Sequence, residues 1–83
     1  MKKRKLFAKI LSGSDNIRFD DLVKVVEAFG FRLVRIKGSH HIFNHPDLEE
    51  MLNLQDKQRK AKPYQIRQFL ILVDQYDLAS EEE

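Results

Sequence analysis

Residues 29–44, FGFRLVRIKGSHHIFN, contain the signals that decide the fold of the chain. Gly30 is a stop signal for the helix that precedes it. FRLVRIK is rich in branched residues and predicts a strand, and KG is a turn into a second strand, HHIFN. Strands joined by so short a turn are antiparallel. The stretch therefore predicts the end of a helix followed by a β-hairpin.

The elements on either side follow from similar signals. Residues 19–29 carry apolar side chains at helical spacing, and Pro63 fits the first turn of a last helix because its missing N–H is not needed there. We also predict a short helix at residues 2–12, a third strand at residues 51–55 and a polar, basic loop at residues 56–62.

These elements predict an α+β fold in the order α-α-β-β-β-α. Short connections make the three strands an antiparallel meander, and amphipathic helices pack on one face of that sheet. The other face is left to solvent or a ligand. The chain has 83 residues and shows no repeats or linkers, so we expect one domain over residues 1–83. The acidic tail, residues 79–83, is expected to be flexible.

The charged residues are segregated along the chain, although the net charge is only +2. No acidic residue lies between Glu27 and Asp47, and none lies between Asp56 and Asp74. The basic residues of these two stretches are Arg32, Arg35, Lys37, Lys57, Arg59, Lys60, Lys62 and Arg67. Such segregation suggests a basic face that meets phosphate, and a solvated surface is the simpler alternative.

Several classes of protein are excluded by composition. The chain has no cysteine, which removes disulfides, thiolate chemistry and cysteine zinc sites. The basic N-terminal stretch MKKRKLFAKIL is interrupted by Lys9, and it is too short and too charged for a signal peptide or a membrane span. We therefore expect a cytoplasmic protein without a membrane partner.

The three histidines, His40, His41 and His45, are close in sequence but are not expected to converge in space. Side chains alternate along a strand, so His40 and His41 point to opposite faces, while His41 and His45 lie roughly 13 Å apart. A zinc ion needs ligands that converge to about 2 Å from it. We therefore expect no metal and no cofactor.

Two kinds of catalytic site are possible for the histidine strand. A serine triad is disfavoured because Ser39 alternates away from His40 and KGSHH lacks the glycine that follows the serine of a nucleophile elbow. One histidine beside Arg35 and Lys37 suits RNA cleavage by the ribose 2′-hydroxyl, which needs proton transfer and cations but no metal. On residue types alone, a structural or surface histidine is the simpler interpretation.

The stretch AFGFRLVRIKGSHHIFNHPD resembles the HicA toxin family, the small messenger-RNA interferases of prokaryotic toxin–antitoxin pairs. The matching positions are Phe29-Gly30-Phe31, Arg35, Lys37, Gly38-Ser39-His40-His41, Ile42-Phe43 and His45-Pro46-Asp47. KAKPYQIRQFL is similar to the family's lysine–proline at the start of the last helix, here Lys62-Pro63. The resemblance extends from about Phe19 to Leu70, and the N-terminal helix is an addition.

The resemblance implies a fold like the double-stranded RNA-binding domain and gives roles to the histidine strand. His40, the first histidine of the pair, would be catalytic, Gly38 would set the tight turn that presents it, and His41 would face the packed side with Phe43. Many members have proline–valine–histidine after the third strand. This chain has Leu54-Gln55-Asp56 there, so the role of that second histidine is not carried over.

We therefore expect the toxin of a toxin–antitoxin system, a metal-independent endoribonuclease that binds and cleaves messenger RNA and inhibits translation. His40 is the predicted general base or acid. The predicted RNA-binding residues are Arg35, Lys37, Gly38, Ser39, Lys60 and Lys62. Tyr64 is either stacked on a base or simply packed. The alternatives are an RNA-binding module without catalysis and a purely structural protein-binding domain.

The family also implies a partner, a HicB-type antitoxin that would cover the basic face and block His40. Ile71 and Leu72 fall beside the apolar stripe of the last helix. They are candidates for the antitoxin interface or for a homodimer contact, and core packing is the interpretation that we favour for both.

Overall fold

A computed structural model of the chain describes residues 3–12 and 16–80. The elements, in chain order, are α1 (Lys3–Leu11), α2 (Phe19–Ala28), β1 (Arg32–Lys37), β2 (His40–Asn44), β3 (Leu52–Gln55) and α3 (Pro63–Gln75). The α+β class and the order α-α-β-β-β-α are therefore confirmed. The predicted bounds agree with the observed ones to within one residue, a difference that is common at helix and strand ends, and residue 2 of the predicted first helix lies outside the described residues.

The three strands form one antiparallel sheet in the order β1-β2-β3, so the predicted meander is correct. Lys37 pairs with His40 across the first hairpin, and His40 pairs in turn with Gln55 of β3. The β1–β2 register shifts between Leu33 and Arg35, where a bulge inserts one residue into β1. His40 thus begins the central strand at the end of the sheet where β3 finishes.

Gly30 ends α2 through a Schellman motif. Its φ of +95° is in the left-handed region, where glycine carries no steric penalty. The Gly30 N–H donates to the Glu27 carbonyl at 3.0 Å, and the Phe31 N–H donates to the Val26 carbonyl at 3.4 Å. These two bonds turn the chain from α2 directly into β1 and leave Phe31 buried in the core.

The helices cover one face of the sheet around a core rich in aromatic residues. Phe69 of α3 contacts Phe29 and Phe31, with ring centroids 5.5 and 6.0 Å apart respectively. The sheet contributes buried side chains at alternate positions, Phe43, Leu52 and Leu54. The opposite face carries the exposed side chains Arg35, Lys37, His40 and Asn53. This open face is where the predicted site lies.

The two apolar residues in the middle of α3 have different surroundings. Leu72 is buried in the core, as predicted, because it lies one helical turn from Phe69 on the same side. Ile71 is 56% exposed, so the expectation that it packs in the core was wrong. It is two residues from Phe69, and in a helix this spacing places it on the opposite side.

The described part of the chain contains no helix that is long and apolar enough to cross a membrane. The predicted flexible tail covers residues 79–83, of which residues 81–83 lie outside the described residues. Its flexibility stays a prediction.

Candidate functional site

The β1–β2 turn consists of Gly38 and Ser39 and places His40 at the first position of β2. Gly38 has a φ of +61°, and a Cβ added there would meet no atom within 4 Å. Glycine is therefore required by the backbone conformation rather than by lack of space. The Asp56 N–H donates to the Ser39 carbonyl at 2.9 Å, and Gln55 Nε2 donates to Ser39 Oγ at 3.1 Å. These bonds fix the turn to the end of β3.

The imidazole of His40 is exposed and oriented by one side chain of the neighbouring strand. Its Nδ1 lies 3.1 Å from Oδ1 of Asn53. An amide oxygen only accepts, so this bond places the proton of the neutral ring on Nδ1. Nε2 then carries a lone pair, which can take up a proton. Asn53 thus orients the ring through Nδ1, and the unprotonated Nε2 is the nitrogen that could act as a general base.

Asn53 was missed by the sequence reasoning, although the pattern of β3 contains a signal for it. In LNLQ the leucines alternate with polar residues, and Leu52 and Leu54 are fully buried. Alternation therefore places Asn53 and Gln55 on the open face. Gln55 pairs with His40, so Asn53 is the diagonal neighbour of His40 on that face.

Two of the predicted cations lie on the same face as His40. Lys37 is the direct cross-strand partner of His40, and Arg35 is the partner of Ile42, the next residue of β2 on this face. Directly paired residues have Cβ atoms about 5 Å apart on a common face. All six residues of β1 are exposed, so both cations can reach a ligand. The structure thus brings Arg35, Lys37 and His40 together, as predicted.

The other two predicted cations lie on the loop between β3 and α3. Lys60 forms backbone bridges with Lys57 and with Arg18, which precedes α2. Lys62 is exposed at the N-cap position of α3, whose first turn contains no acidic residue. The six predicted RNA-binding residues therefore form two groups: Arg35, Lys37, Gly38 and Ser39 at the hairpin, and Lys60 and Lys62 on this loop.

His41 faces the core, as expected from alternation. Its ring packs edge-on against Phe19 with centroids 4.8 Å apart, and it pairs with the buried Leu54. Its Nδ1 is 3.3 Å from the Ser39 carbonyl. Phe43 is fully buried on the same face, so the expected orientation of both residues is confirmed.

His45 is a structural histidine, and the sequence had offered no strong role for it. It is buried, with its ring 5.0 Å from that of Phe31. Nδ1 accepts the Asp47 N–H at 3.1 Å, so Nε2 carries the proton and donates to the Phe29 carbonyl at 3.0 Å. His45 therefore ties the end of α2 to the turn that follows β2.

A buried glutamine of α3 is bonded to the backbone of the strand next to His40. Gln65 is 1% exposed, and its Nε2 donates to the Gln55 carbonyl at 2.8 Å while its Oε1 accepts the Gln55 N–H. Gln55 is the strand partner of His40 and also donates to Ser39. The start of α3 is thus anchored to the strand beside His40. Sequence reasoning missed Gln65, since a buried glutamine resembles a surface one.

Tyr64 is not packed. Its side chain is 49% exposed, and the Lys57 ammonium lies 5.9 Å from the ring centroid. Packing, one of the two interpretations, was therefore wrong, and stacking on a base stays a prediction. Within residues 3–12 and 16–80, no group of three or more histidine, cysteine or acidic residues is placed to hold a metal ion.

Fold and site together define a class: a small α+β protein with an exposed, oriented histidine beside two cations on an open sheet face. The sequence model of the HicA toxin of bacterial toxin–antitoxin pairs matches residues 19–74, more than half of the chain. The protein therefore belongs to the HicA toxin family, and it is the toxin component of a toxin–antitoxin system. No curated protein and no solved structure matched the chain.

Proposed function

We propose that this toxin is a metal-independent endoribonuclease that binds and cleaves messenger RNA in the cytoplasm and so inhibits translation. The main observation behind the proposal is the contact between His40 Nδ1 and Asn53 Oδ1 at 3.1 Å. It leaves Nε2 exposed as a proton acceptor on the face that also carries Lys37 and Arg35. Membership of the HicA toxin family supports RNA as the target.

The reaction that suits this arrangement is transesterification within the RNA strand. Nε2 of His40 takes the proton of a ribose 2′-hydroxyl, and the 2′-oxygen forms a bond to the adjacent phosphorus. The bond from phosphorus to the 5′-oxygen breaks, and that oxygen takes up a proton from Lys37, from water or from the substrate. The products are a 2′,3′-cyclic phosphate and a 5′-hydroxyl end. Lys37 and Arg35 stabilise the negative charge that develops on the phosphate oxygens.

The turn and the loop give the RNA strand its binding surface. Gly38 has no side chain, and the space around its Cβ position is open, so a phosphodiester can approach the backbone closely. Lys60 and Lys62 add charge on the β3–α3 loop. The start of α3 adds the positive end of a helix dipole, which no acidic residue in the first turn offsets.

A HicB-type antitoxin is the proposed inhibitor. The family is that of toxins with antitoxin partners. An antitoxin that covered Arg35, Lys37 and His40 would remove both the cations and the base from RNA. The exposed Ile71 stays a candidate for that interface or for a homodimer contact, while Leu72 is part of the core.

The chemistry is tested by incubating the purified chain with an RNA transcript in excess chelator. We expect cleavage to continue and to leave 2′,3′-cyclic phosphate ends, because the 2′-hydroxyl and side chains supply the chemistry. The same RNA with a single 2′-deoxyribose at a mapped cleavage position should remain intact at that position. Loss of cleavage on chelation would contradict the metal-free mechanism. Cleavage at the deoxyribose would contradict attack by the 2′-hydroxyl.

An RNA-binding module without catalysis is the second candidate. It is favoured by one observation: the reaction needs two proton transfers, whereas His41 and His45 are committed to structural contacts and only His40 remains. This candidate predicts that RNA binds with salt-dependent affinity but is not cut. It also predicts that His40→Ala leaves the effect on translation intact. A growth assay with the His40→Ala chain separates the two candidates.

A further inference from the structure

A second basic feature lies between the N-terminal segment and the β3–α3 loop. It is a cleft of about 380 Å³, and four of its lining residues are cationic: Lys9, Arg18, Arg59 and Lys60. Lys9 belongs to α1, and Arg18 directly precedes α2. Both lie before residue 19, where the match to the HicA toxin family begins. Of these four, the predicted RNA-binding residues included Lys60 but not Lys9, Arg18 or Arg59.

The cleft has walls that hydrogen bonds hold together. The Phe19 N–H donates to the Arg59 carbonyl at 2.9 Å, and the Ala61 N–H donates to the Ile17 carbonyl at 3.0 Å. Ile17 and Ala61 are both buried. These contacts fix the backbone of the loop against the segment before α2, so the cations are presented by an ordered framework.

The loop conformation is stabilised by one of its own side chains. Gln58 and Arg59 adopt φ values of 55° and 66°, and the Asp56 carboxylate accepts the Arg59 N–H at 2.7 Å. Asp56, the acidic residue at the start of this loop, is therefore used to stabilise the turn. The described residues that line the cleft include no carboxylate. Four like charges around one cleft create a positive potential that attracts anions.

We propose that this cleft binds phosphate groups of the RNA strand beyond the position where it is cut. The proposal rests on the proposed function and adds α1 and the β3–α3 loop to the RNA-binding surface. The loop that forms one wall of the cleft starts at Asp56, whose N–H is bonded to the carbonyl of Ser39, the residue before His40. An RNA strand that leaves His40 over the turn would therefore run toward this wall of the cleft.

The test measures the salt dependence of RNA affinity for the full chain. The probe is a fluorescent single-stranded RNA with 2′-O-methyl groups, which retains every phosphate but has no free 2′-hydroxyl to react. Each phosphate contact contributes about −0.7 to the slope of log affinity against log salt for single strands. Lys9→Gln with Arg18→Gln should make the slope shallower by about 1.4. When the salt concentration rises from roughly 50 to 200 mM, the factor by which RNA affinity falls should then be about sevenfold smaller for the variant than for the parent.

Matched variants distinguish an effect of charges in the cleft from an effect of the net charge of the protein. Lys9→Arg with Arg18→Lys keeps both charges and should retain the slope of the parent. Lys24→Gln removes one exposed charge outside the cleft and should also retain it. Arg59→Gln, on the opposite wall, should reduce the slope by about 0.7 and serves as a second variant if the first pair does not fold.

The outcomes distinguish this proposal from the proposed function. A parent chain that binds no RNA would overturn both. If the variant with glutamine at positions 9 and 18 binds RNA with an unchanged slope, the proposal for the cleft is overturned and the proposed function is not. An equal change per charge in the Lys24 control would also overturn it, since the loss of a charge, and not the position of that charge, would then be the cause. Unchanged RNA affinity with weakened binding of the antitoxin would assign the cleft to an acidic protein segment instead.

Discussion

At the scale of single residues, three side chains of identical chemistry have different surroundings. His40 is exposed and oriented by Asn53, His41 packs on Phe19, and His45 is buried between two backbone groups. Strand alternation was sufficient to separate His40 from His41, because it depends only on neighbouring positions. It could not place His45, whose partner Phe29 is 16 residues away in the sequence.

Removing the imidazole of His45 should destabilise the protein without a direct effect on chemistry. His45→Ala leaves a cavity beside Phe31 and an unpaired carbonyl at Phe29, so we expect the free energy of unfolding to fall by about 3 kcal/mol. Urea denaturation measures this change. His40→Ala is the matched control, and its exposed side chain should cost less than about 0.5 kcal/mol. Equal costs for the two variants would contradict a structural role for His45.

At the scale of elements, the ends of α2 and α3 illustrate what a local pattern can and cannot predict. Both helices end with a left-handed residue, Gly30 in one and Asp77 in the other, and both have the matching backbone bonds. Glycine predicted the end of α2. An aspartate carries no such signal. Its left-handed φ of 50° accompanies two bonds of the folded chain, from the Asp77 N–H to the Asp74 carbonyl and from the Leu78 N–H to the Val73 carbonyl.

Replacing Asp77 with glycine should therefore stabilise α3. A residue with a Cβ in the left-handed region costs roughly 1–2 kcal/mol, and glycine avoids most of this cost. We expect Asp77→Gly to raise the free energy of unfolding by about 1 kcal/mol, measured by urea denaturation. Asp77→Ala keeps a Cβ at the same φ and should bring no gain. Equal stability of the glycine and alanine variants would show that the end of α3 is not strained.

The strands show the same limit on prediction from sequence. The order of elements and the hairpin were predictable because periodicity and turn residues are local features. The bulge in β1 between Leu33 and Arg35 was not, since it exists only relative to the partner strand. Ile71 was misjudged because an apolar residue in a helix indicates burial only when its angular position matches that of the core residues.

At the scale of the whole molecule, the segregated charges form two basic regions rather than one. Arg35 and Lys37 accompany His40 on the open face, whereas Lys60 lies with Arg18 at the cleft. The sequence predicted a basic face but not this division. The division arises when residues 17–19 pair with residues 59–61, and sequence spacing alone gives no information about such a contact. Gln65 escaped prediction because a buried glutamine resembles a surface one in the sequence, whereas the alternation in β3 did contain a signal for Asn53.

The central claim is that His40 transfers the proton when RNA is cut. The most direct measurement is the single-turnover rate of RNA cleavage in excess chelator by the parent chain and by His40→Ala, with RNA affinity measured in parallel. A positioned general base contributes about 10²–10⁴-fold, so we predict a loss of at least about 100-fold in rate with RNA affinity retained. Undiminished cleavage by the His40→Ala chain would contradict the assignment.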